Sequence, residues 1–475
     1  MRPEPQHVPQ PAPYTPDPRI LAIAGWLADP VHAADFPRTT LRFRNDSWAR
    51  AVGLDDLDDA RWTAHFGRFE PLPDNLPQPL ALRYHGHQFR HYNPDIGDGR
   101  GFLHAQLRDG DGRLLDLGTK GSGQTPYSRD GDGRLTLKGA VREILATEML
   151  EALGVYTSKT FSVIETGEEL WRGDEPSPTR SAVLVRLSHG HIRIGTFQRL
   201  RVLAERDESA KDHMAALVDY CLANFPGEEP PADAPGRDES AVILMHQVVE
   251  RLADLAASWM VAGFVHGVLN TDNMNVTGES FDYGPWRWLP AWDPRFTAAY
   301  FDHSGLYAFG RQPEALLWNC GQMGTALRLL TTSEPLIFAL ERFGPLYQQA
   351  MARRFAWRLG IEPGSFEADS ALIAAAERAM RESGESPDAF FFRHRGARGG
   401  GDGEFGELMK KRTPLSQALD DPLWAADAPP SLVIDEVERV WSAVDSSDDW
   451  APLHDKVSAI RALGVALGPA PQRAL

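Results

Sequence analysis

The sequence predicts an α+β fold of two unequal lobes. A small β-rich lobe with one key helix precedes a larger helical lobe, and extensions flank both ends. Three observations predict this. Residues 81–195 alternate turn signals with short apolar runs and hold one amphipathic helix. From residue 196 onward helical periodicity dominates. Directly after a long apolar helix, the chain reads His266-Gly-Val-Leu-Asn-Thr-Asp-Asn273 and then Asp282-Tyr-Gly284.

Residues 1–80 read as an N-terminal arm and lead-in. The first 18 residues hold seven prolines, which favour a mobile or extended chain. From 19 to 80, short apolar stretches with Trp26, Trp48 and Trp62 suggest helix and irregular chain. Within the small lobe, 81–195, the runs 101–107 and 113–118 read as strands. Asp109-Gly-Asp-Gly112 between them is a hairpin turn signal. A helix is predicted over 138–153, with Val141, Ile144, Leu145, Met149 and Leu153 on one face and Gly154 placed to cap it. Further strands are expected at 162–164 and 181–185.

The large lobe, 196–395, begins with helix and a loop at 226–240 rich in Pro and acid. A strong amphipathic helix follows at 243–261, carrying Leu244, Val248, Leu252, Leu255 and Trp259. It runs into Phe264-Val-His266. Residues 310–382 are expected to be mostly helical, and 394–405 flexible by composition. Residues 396–475 are read as a linker and C-terminal extension of polar helix and loop, with no assigned chemistry.

Composition bounds the function classes. A chain of 475 residues suffices for two or three domains, and 42% hydrophobic with 24% charged residues is ordinary for a globular protein. Its net charge of −17 opposes a wide nucleic-acid footprint, which needs clustered cations. A local cationic pocket for one nucleotide remains compatible with it. Cys221 and Cys320 are the only cysteines, too few for a disulfide framework or a zinc cluster. No basic-then-apolar leader and no apolar run near ~18 residues is visible. The expectation is a cytoplasmic monomer with no membrane or nucleic-acid partner.

Several residues could carry chemistry. Lys120 ends an apolar strand in Leu115-Asp-Leu-Gly-Thr-Lys-Gly-Ser-Gly123 and could present an amine to a phosphate. Taken alone, a solvated lysine in a glycine loop is the simpler account. Glu143, on the predicted helix, could hold that amine, and spacing leaves this open against an ordinary surface acid. Gly-Asp-Gly-Arg occurs at 97–100, 110–113 and 131–134. The middle copy is the hairpin turn, while the outer two could bring backbone N–H groups close to phosphates, with Arg100 as a further donor. Arg186 and Arg193 could clamp a polyphosphate, although a surface pair explains them in isolation. His85 and His87 form a His-x-His pair best read as structural.

The strongest set is Asp272, Asn273 and Asp282. His266 and Asn273 keep the offset of the protein-kinase pattern H-R-D-x-x-x-x-N, and Asp282-Tyr-Gly284 stands in for D-F-G. Val268 occupies the position of the kinase base and cannot accept a proton. Asp272 is the nearby carboxylate that could replace it. Asn273 and Asp282 offer the hard oxygens that Mg²⁺ prefers. The fold class is therefore protein-kinase-like and bilobal. Rival readings are a kinase-like phosphotransferase, which Val268 opposes, and a non-catalytic nucleotide-binding scaffold, which the full set of Lys120, Glu143, Asn273 and Asp282 opposes.

Together these stretches resemble the selenoprotein O family, the YdiU-type proteins. The resemblance rests on Tyr84-His-Gly-His-Gln-Phe89, Gly97-Asp-Gly-Arg100, Lys120-Gly-Ser-Gly-Gln-Thr-Pro-Tyr-Ser-Arg129, Gly131-Asp-Gly-Arg134, Arg142-Glu143, His191-Ile-Arg-Ile-Gly195, His266 to Met274, Asp282-Tyr-Gly-Pro285 and Ala315-Leu-Leu-Trp-Asn319. It implies a pseudokinase that binds ATP turned around and moves AMP onto Ser, Thr or Tyr hydroxyls of proteins. By motif position Asp272 would accept the proton, and Asn273 and Asp282 would hold Mg²⁺ or Mn²⁺. Gly97, Gly99, Arg100, Lys120, Asp132, Gly133, Arg186, Arg193 and Asp282 would contact the nucleotide, with Glu143 orienting Lys120. The chain departs from the family at Arg90, where a glycine is expected, and in a short insertion near 173–179. Its last 80 residues also differ and carry no cysteine, which puts a redox switch in the tail in doubt.

Overall fold

A computed structural model describes residues 10–173, 175–398 and 403–471. The start of the proline-rich arm, one residue of the 173–179 insertion, the glycine run 399–402 and the last four residues lie outside the described residues.

Strands form where apolar and β-branched residues alternate between turn signals. They are β1 (Ala28–Pro30), β2 (Thr40–Arg44), β3 (Leu80–Leu82), β4 (Gly86–Gln88), β5 (His91–Asn93), β6 (Leu103–Arg108), β7 (Leu114–Lys120), β8 (Leu135–Thr136), β9 (Lys159–Leu170), β10 (Thr179–Ser188), β11 (Phe264–Val265) and β12 (Arg287–Trp288). Eight of them make one antiparallel sheet in the order β1-β3-β6-β7-β10-β9-β2, with β8 also on β10. The hairpin joining β6 and β7 turns at the predicted place. There the Asp109 carboxylate accepts from the backbone N–H of Asp111 and Arg113 at 3.1 and 2.9 Å.

Three short helices lie in the lead-in, namely α1 (Ala24–Leu27), α2 (Asp46–Ala51) and α3 (Asp59–Gly67). The predicted sheet-lobe helix is α4 (Leu137–Ala152), ended by Gly154 at φ +70°, a conformation that a side chain would strain. Then come α5 (Ile194–Leu203), α6 (Ser209–Asn224), α7 (Ser240–Ala262), α8 (Gln312–Leu327), α9 (Ser333–Glu341), α10 (Phe343–Leu359), α11 (Phe366–Ser383) and α12 (Pro387–His394). The chain closes with α13 (Glu404–Met409), α14 (Ile434–Ser447) and α15 (Ala451–Leu467). No described helix is long and apolar enough to cross a membrane.

Both faces of the sheet are buried, which the alternation of β10 makes plain. Val183, Val185 and Leu187 pack with Trp48, Trp62, Phe66 and Phe161 on one side. Ala182 and Leu184 pack with Val141, Ile144, Leu145 and Met149 of α4 on the other. The lead-in is thus more than helix and irregular chain. It supplies β1, β2 and the first residue of β3 to the sheet and two tryptophans to its outer face, because the apolar outer side chains of β9 and β10 need a cover. The described part of the proline arm is extended and tied down: Asp17 N–H donates to the Gln106 carbonyl at 3.1 Å, and Pro16 bridges to Leu107.

The C-terminal helices pack against α4 and the large-lobe helices. Arg461 of α15 forks onto buried Glu148 of α4 at 2.7 and 2.6 Å, and Glu438 of α14 pairs with Lys138 at 2.7 Å. At the start of the stretch expected to be flexible, Arg395 is buried and donates to the carbonyls of Trp357, Arg358, Ala418 and Leu467. These four hydrogen bonds hold the guanidinium on fixed carbonyls, so this part is a clasp between helices.

Candidate active site

Lys120 is the last residue of β7, where the strand pattern turns its side chain toward α4. It is buried, and its Nζ donates to Glu143 Oε2 at 2.6 Å. Its second partner is Asp282 Oδ1 at 3.0 Å. Arg186, on the neighbouring strand β10, approaches the same two carboxylates, 3.7 Å from Glu143 and 3.5 Å from Asp282. Four residues scattered over 163 positions of sequence thus converge at the edge where the sheet meets the helices.

Electrostatics follow from this convergence. Burial alone would raise the Asp282 carboxyl. The charges of Lys120, Arg186 and Arg100 outweigh it and hold Asp282 well below the usual carboxylate range. Arg100 is exposed and close enough to Asp282 for its charge to act there. Asp282 itself sits at φ +60°, a conformation uncommon for a residue with a side chain and frequent at functional turns.

Arg193 stands just before α5. It pairs with Asp98 at 3.0 Å, and its guanidinium lies 4.1 Å from the Tyr84 ring centroid and 5.2 Å from that of Phe281. The first Gly-Asp-Gly-Arg copy therefore reaches the cluster partly through its aspartate. Gly97 and Gly99 are pressed against Tyr127, where a Cβ would not fit. The third copy is placed differently. Asp132 is held outward by Arg172 at 2.8 Å, and Gly133 packs on Gly123 in the glycine loop after Lys120. The structure thus brings Lys120, Glu143, Arg186 and Asp282 into direct contact and sets Arg193 and Arg100 around them. It engages Asp132 elsewhere.

Asp272 lies in a single 3-10 turn, Thr271–Asn273. The carboxylate is nearly covered, and its Oδ1 has no hydrogen-bond partner. Burial pushes this carboxyl up to about 6, against the pull of Arg193. Asn273 donates its amide to the Val268 carbonyl at 3.1 Å, which leaves its amide oxygen as a ligand atom. Among the described residues no three His, Cys, Asp or Glu side chains converge as a ready metal site. The Asn273 amide oxygen and the Asp282 carboxylate are hard oxygens of the type that Mg²⁺ accepts, and Mg²⁺ takes most of its remaining ligands from phosphates and water.

The loop is spliced to the helices behind it. Gln312 accepts from His266 N–H at 3.0 Å and donates to the Phe264 carbonyl, and Asn319 donates to the Leu269 carbonyl at 2.9 Å. His266 reaches the Phe281 carbonyl at 3.0 Å, so the two motif segments are tied together. The sequence placed Arg142 within the resembling stretches but gave it no role. From α4 it donates to the carbonyls of Gly284 and Trp286 and lies 4.5 Å from the Trp286 ring centroid, linking the Glu143 helix to the Asp282 turn. Its adjacency to Glu143 was the available signal. His85 and His87 hold structural contacts, to the Tyr92 hydroxyl at 2.6 Å and to Gln198 at 2.7 Å.

Comparison with known proteins adds a family. The model described as protein adenylyltransferase SelO matches residues 14–399. A protein nucleotidyltransferase YdiU from Synechocystis is 41% identical, covering 94% of this chain and 97% of the relative. One of the same name from Synechococcus elongatus is 47% identical over 77% of this chain and 72% of the relative. Another from Cereibacter sphaeroides is 38% identical over 74% and 71% respectively.

Proposed function

Because the chain belongs to the SelO family of protein adenylyltransferases, we propose that it transfers AMP from ATP to Ser, Thr or Tyr hydroxyls of proteins, releasing pyrophosphate. The observation that carries this reading is the pairing of a Lys120–Glu143–Asp282 cluster with a base position filled by Val268 and a neighbouring carboxylate, Asp272, that has an unpartnered oxygen. In this reading residues 81–195 act as a kinase-like small lobe and 196–395 as the large lobe. Residues 1–80 and 396–475 buttress them.

The acceptor oxygen attacks the α-phosphorus while its proton passes to the Asp272 carboxylate. The bond from the α-phosphorus to the α–β bridging oxygen breaks, and its electron pair leaves with pyrophosphate. Lys120, Arg100, Arg186 and Arg193 neutralise the charge that develops on the leaving group. Glu143 holds Lys120 in place, as the helix glutamate does in kinases. Gly97, Gly99 and Gly133 let backbone approach the nucleotide, and Asp132 would turn from Arg172 to meet it. Asn273 and Asp282 would hold Mg²⁺ or Mn²⁺, which when bound supplies positive charge against the phosphates.

The test uses ATP labelled at the α- or the γ-phosphorus, with a protein acceptor and a divalent cation. Label should appear on protein from the α form alone. Asp272→Asn should reduce transfer by about 10²–10⁴-fold while ATP still binds. Label from the γ form alone would make the chain a phosphotransferase and end this proposal.

A further inference from the structure

We propose that the segment Tyr84–Phe89 is a positioning strap for Asp272, locked by a closed hydrogen-bond circuit of His87, Gln198 and Thr271. The inference rests on the role given to Asp272 above. It accounts for a motif that the nucleotide cluster leaves unused.

Successive residues of the strap grip successive residues of the Asp272 turn. Phe89 N–H donates to Asn270 Oδ1 at 3.0 Å, and His87 N–H donates to Thr271 Oγ1 at 2.7 Å. The Gln88 side chain favours the charged form of the Asp272 carboxylate, against the effect of burial. Gly86 lies flat against that carboxylate, where a Cβ would come 2.8 Å from Oδ1 and 3.1 Å from the Asp272 Cβ. Only glycine allows this approach. Tyr84, at the start of the strap, lies under the Arg193 guanidinium.

The circuit removes the remaining freedom. Thr271 Oγ1 donates to Gln198 Oε1 at 2.6 Å, and Gln198 Nε2 donates to His87 Nδ1 at 2.7 Å. The His87 backbone then returns to Thr271 Oγ1. Each donor in the ring faces an acceptor. The ring therefore sets the Thr271 hydroxyl rotor, the direction of the Gln198 amide and a neutral His87 tautomer with its proton on Nε2. Gln198 belongs to α5, the helix that starts beside Arg193, so one ring couples the Asp272 turn to the arginine side of the site. An unpartnered buried oxygen on Asp272 is costly, and a loop left free would rotate it toward water or a donor. The strap holds it where an incoming hydroxyl supplies the missing partner. A displacement of about 1 Å in such a group costs on the order of 10²-fold in rate.

The experiment compares the full-length wild type with Thr271→Val, Thr271→Ser and Gln198→Met. It measures AMP transfer to a protein acceptor and, in the same preparations, ATP affinity. Thr271→Val and Gln198→Met should lose about 10–10²-fold in kcat, with ATP affinity within about threefold. Thr271→Ser, which keeps the hydroxyl, should recover most of the rate. The strap is refuted by an undiminished kcat in Thr271→Val, by Thr271→Ser being as slow as Thr271→Val, or by loss of ATP binding in step with transfer, which marks a general structural role. A wild type that labels no protein from α-labelled ATP overturns the function itself and the role of Asp272 with it.

Discussion

Individual residues here take their character from what surrounds them. Glu279 is buried, and its Oε2 accepts from His189 N–H at 2.9 Å. Burial pushes its carboxyl up to about 8, with Lys159 opposing. Between the ordinary glutamate value of 4.5 and about 8, the folded chain holds a proton that the unfolded chain releases. The stability this group contributes is therefore full below the unfolded pKa and is lost as pH rises through about 8. Glu279→Gln should be more stable than wild type at pH 8, by on the order of 1–3 kcal/mol, and nearly equal to it at pH 5. Urea denaturation at both pH values checks this, and an equal difference at the two would refute it. Arg90 shows the same dependence on context. The glycine expected there is explained by a left-handed backbone at φ +64°, which Arg90 adopts while pairing with Glu314 at 3.0 Å.

At the scale of elements, α4 is the junction of the molecule. One side presents Glu143 to Lys120, Arg142 reaches the Asp282 turn, and the other side receives Arg461 from α15. Arg461→Met takes from buried Glu148 the cation that hydrogen-bonds it and should cost about 3–5 kcal/mol. Replacing both partners, as Glu148→Met with Arg461→Met, should recover most of that loss. Denaturation of the two single variants and the double variant measures it, and additive losses would contradict the pairing. Much of this element was legible in the sequence. The 3.6-residue apolar spacing of Val141, Ile144, Leu145 and Met149, with Gly154 after them, marks a helix wherever it lies. The role of Glu148 was not legible, because its partner is 313 residues away and spacing carries no information at that range.

At the scale of the whole molecule, one apolar cluster runs continuously from Leu27 and Leu80 of the first 80 residues through α4 and α7 to Val440 and Leu463 near the end. A core shared in this way couples the sheet and helices. Scanning calorimetry should show a single endotherm in which they melt together; two resolved endotherms would contradict it. Composition does not foretell this sharing, since polar surface helices and detached ones have the same average composition.

By itself the sequence determined the local features: the Asp109–Gly112 hairpin, the α4 and α7 helices, and the two motif segments around Asp272 and Asp282. Backbone conformation there follows from neighbours within a few residues, through steric limits on φ and ψ and through the period of apolar side chains. Only the tertiary structure decided that His87, Gln198 and Thr271 close one ring, that Asp132 turns to Arg172, and that the C-terminal helices brace α4. These are contacts between side chains far apart in the chain. Their partners are chosen by which faces the folded core leaves together and by the need of each buried polar group for a mate.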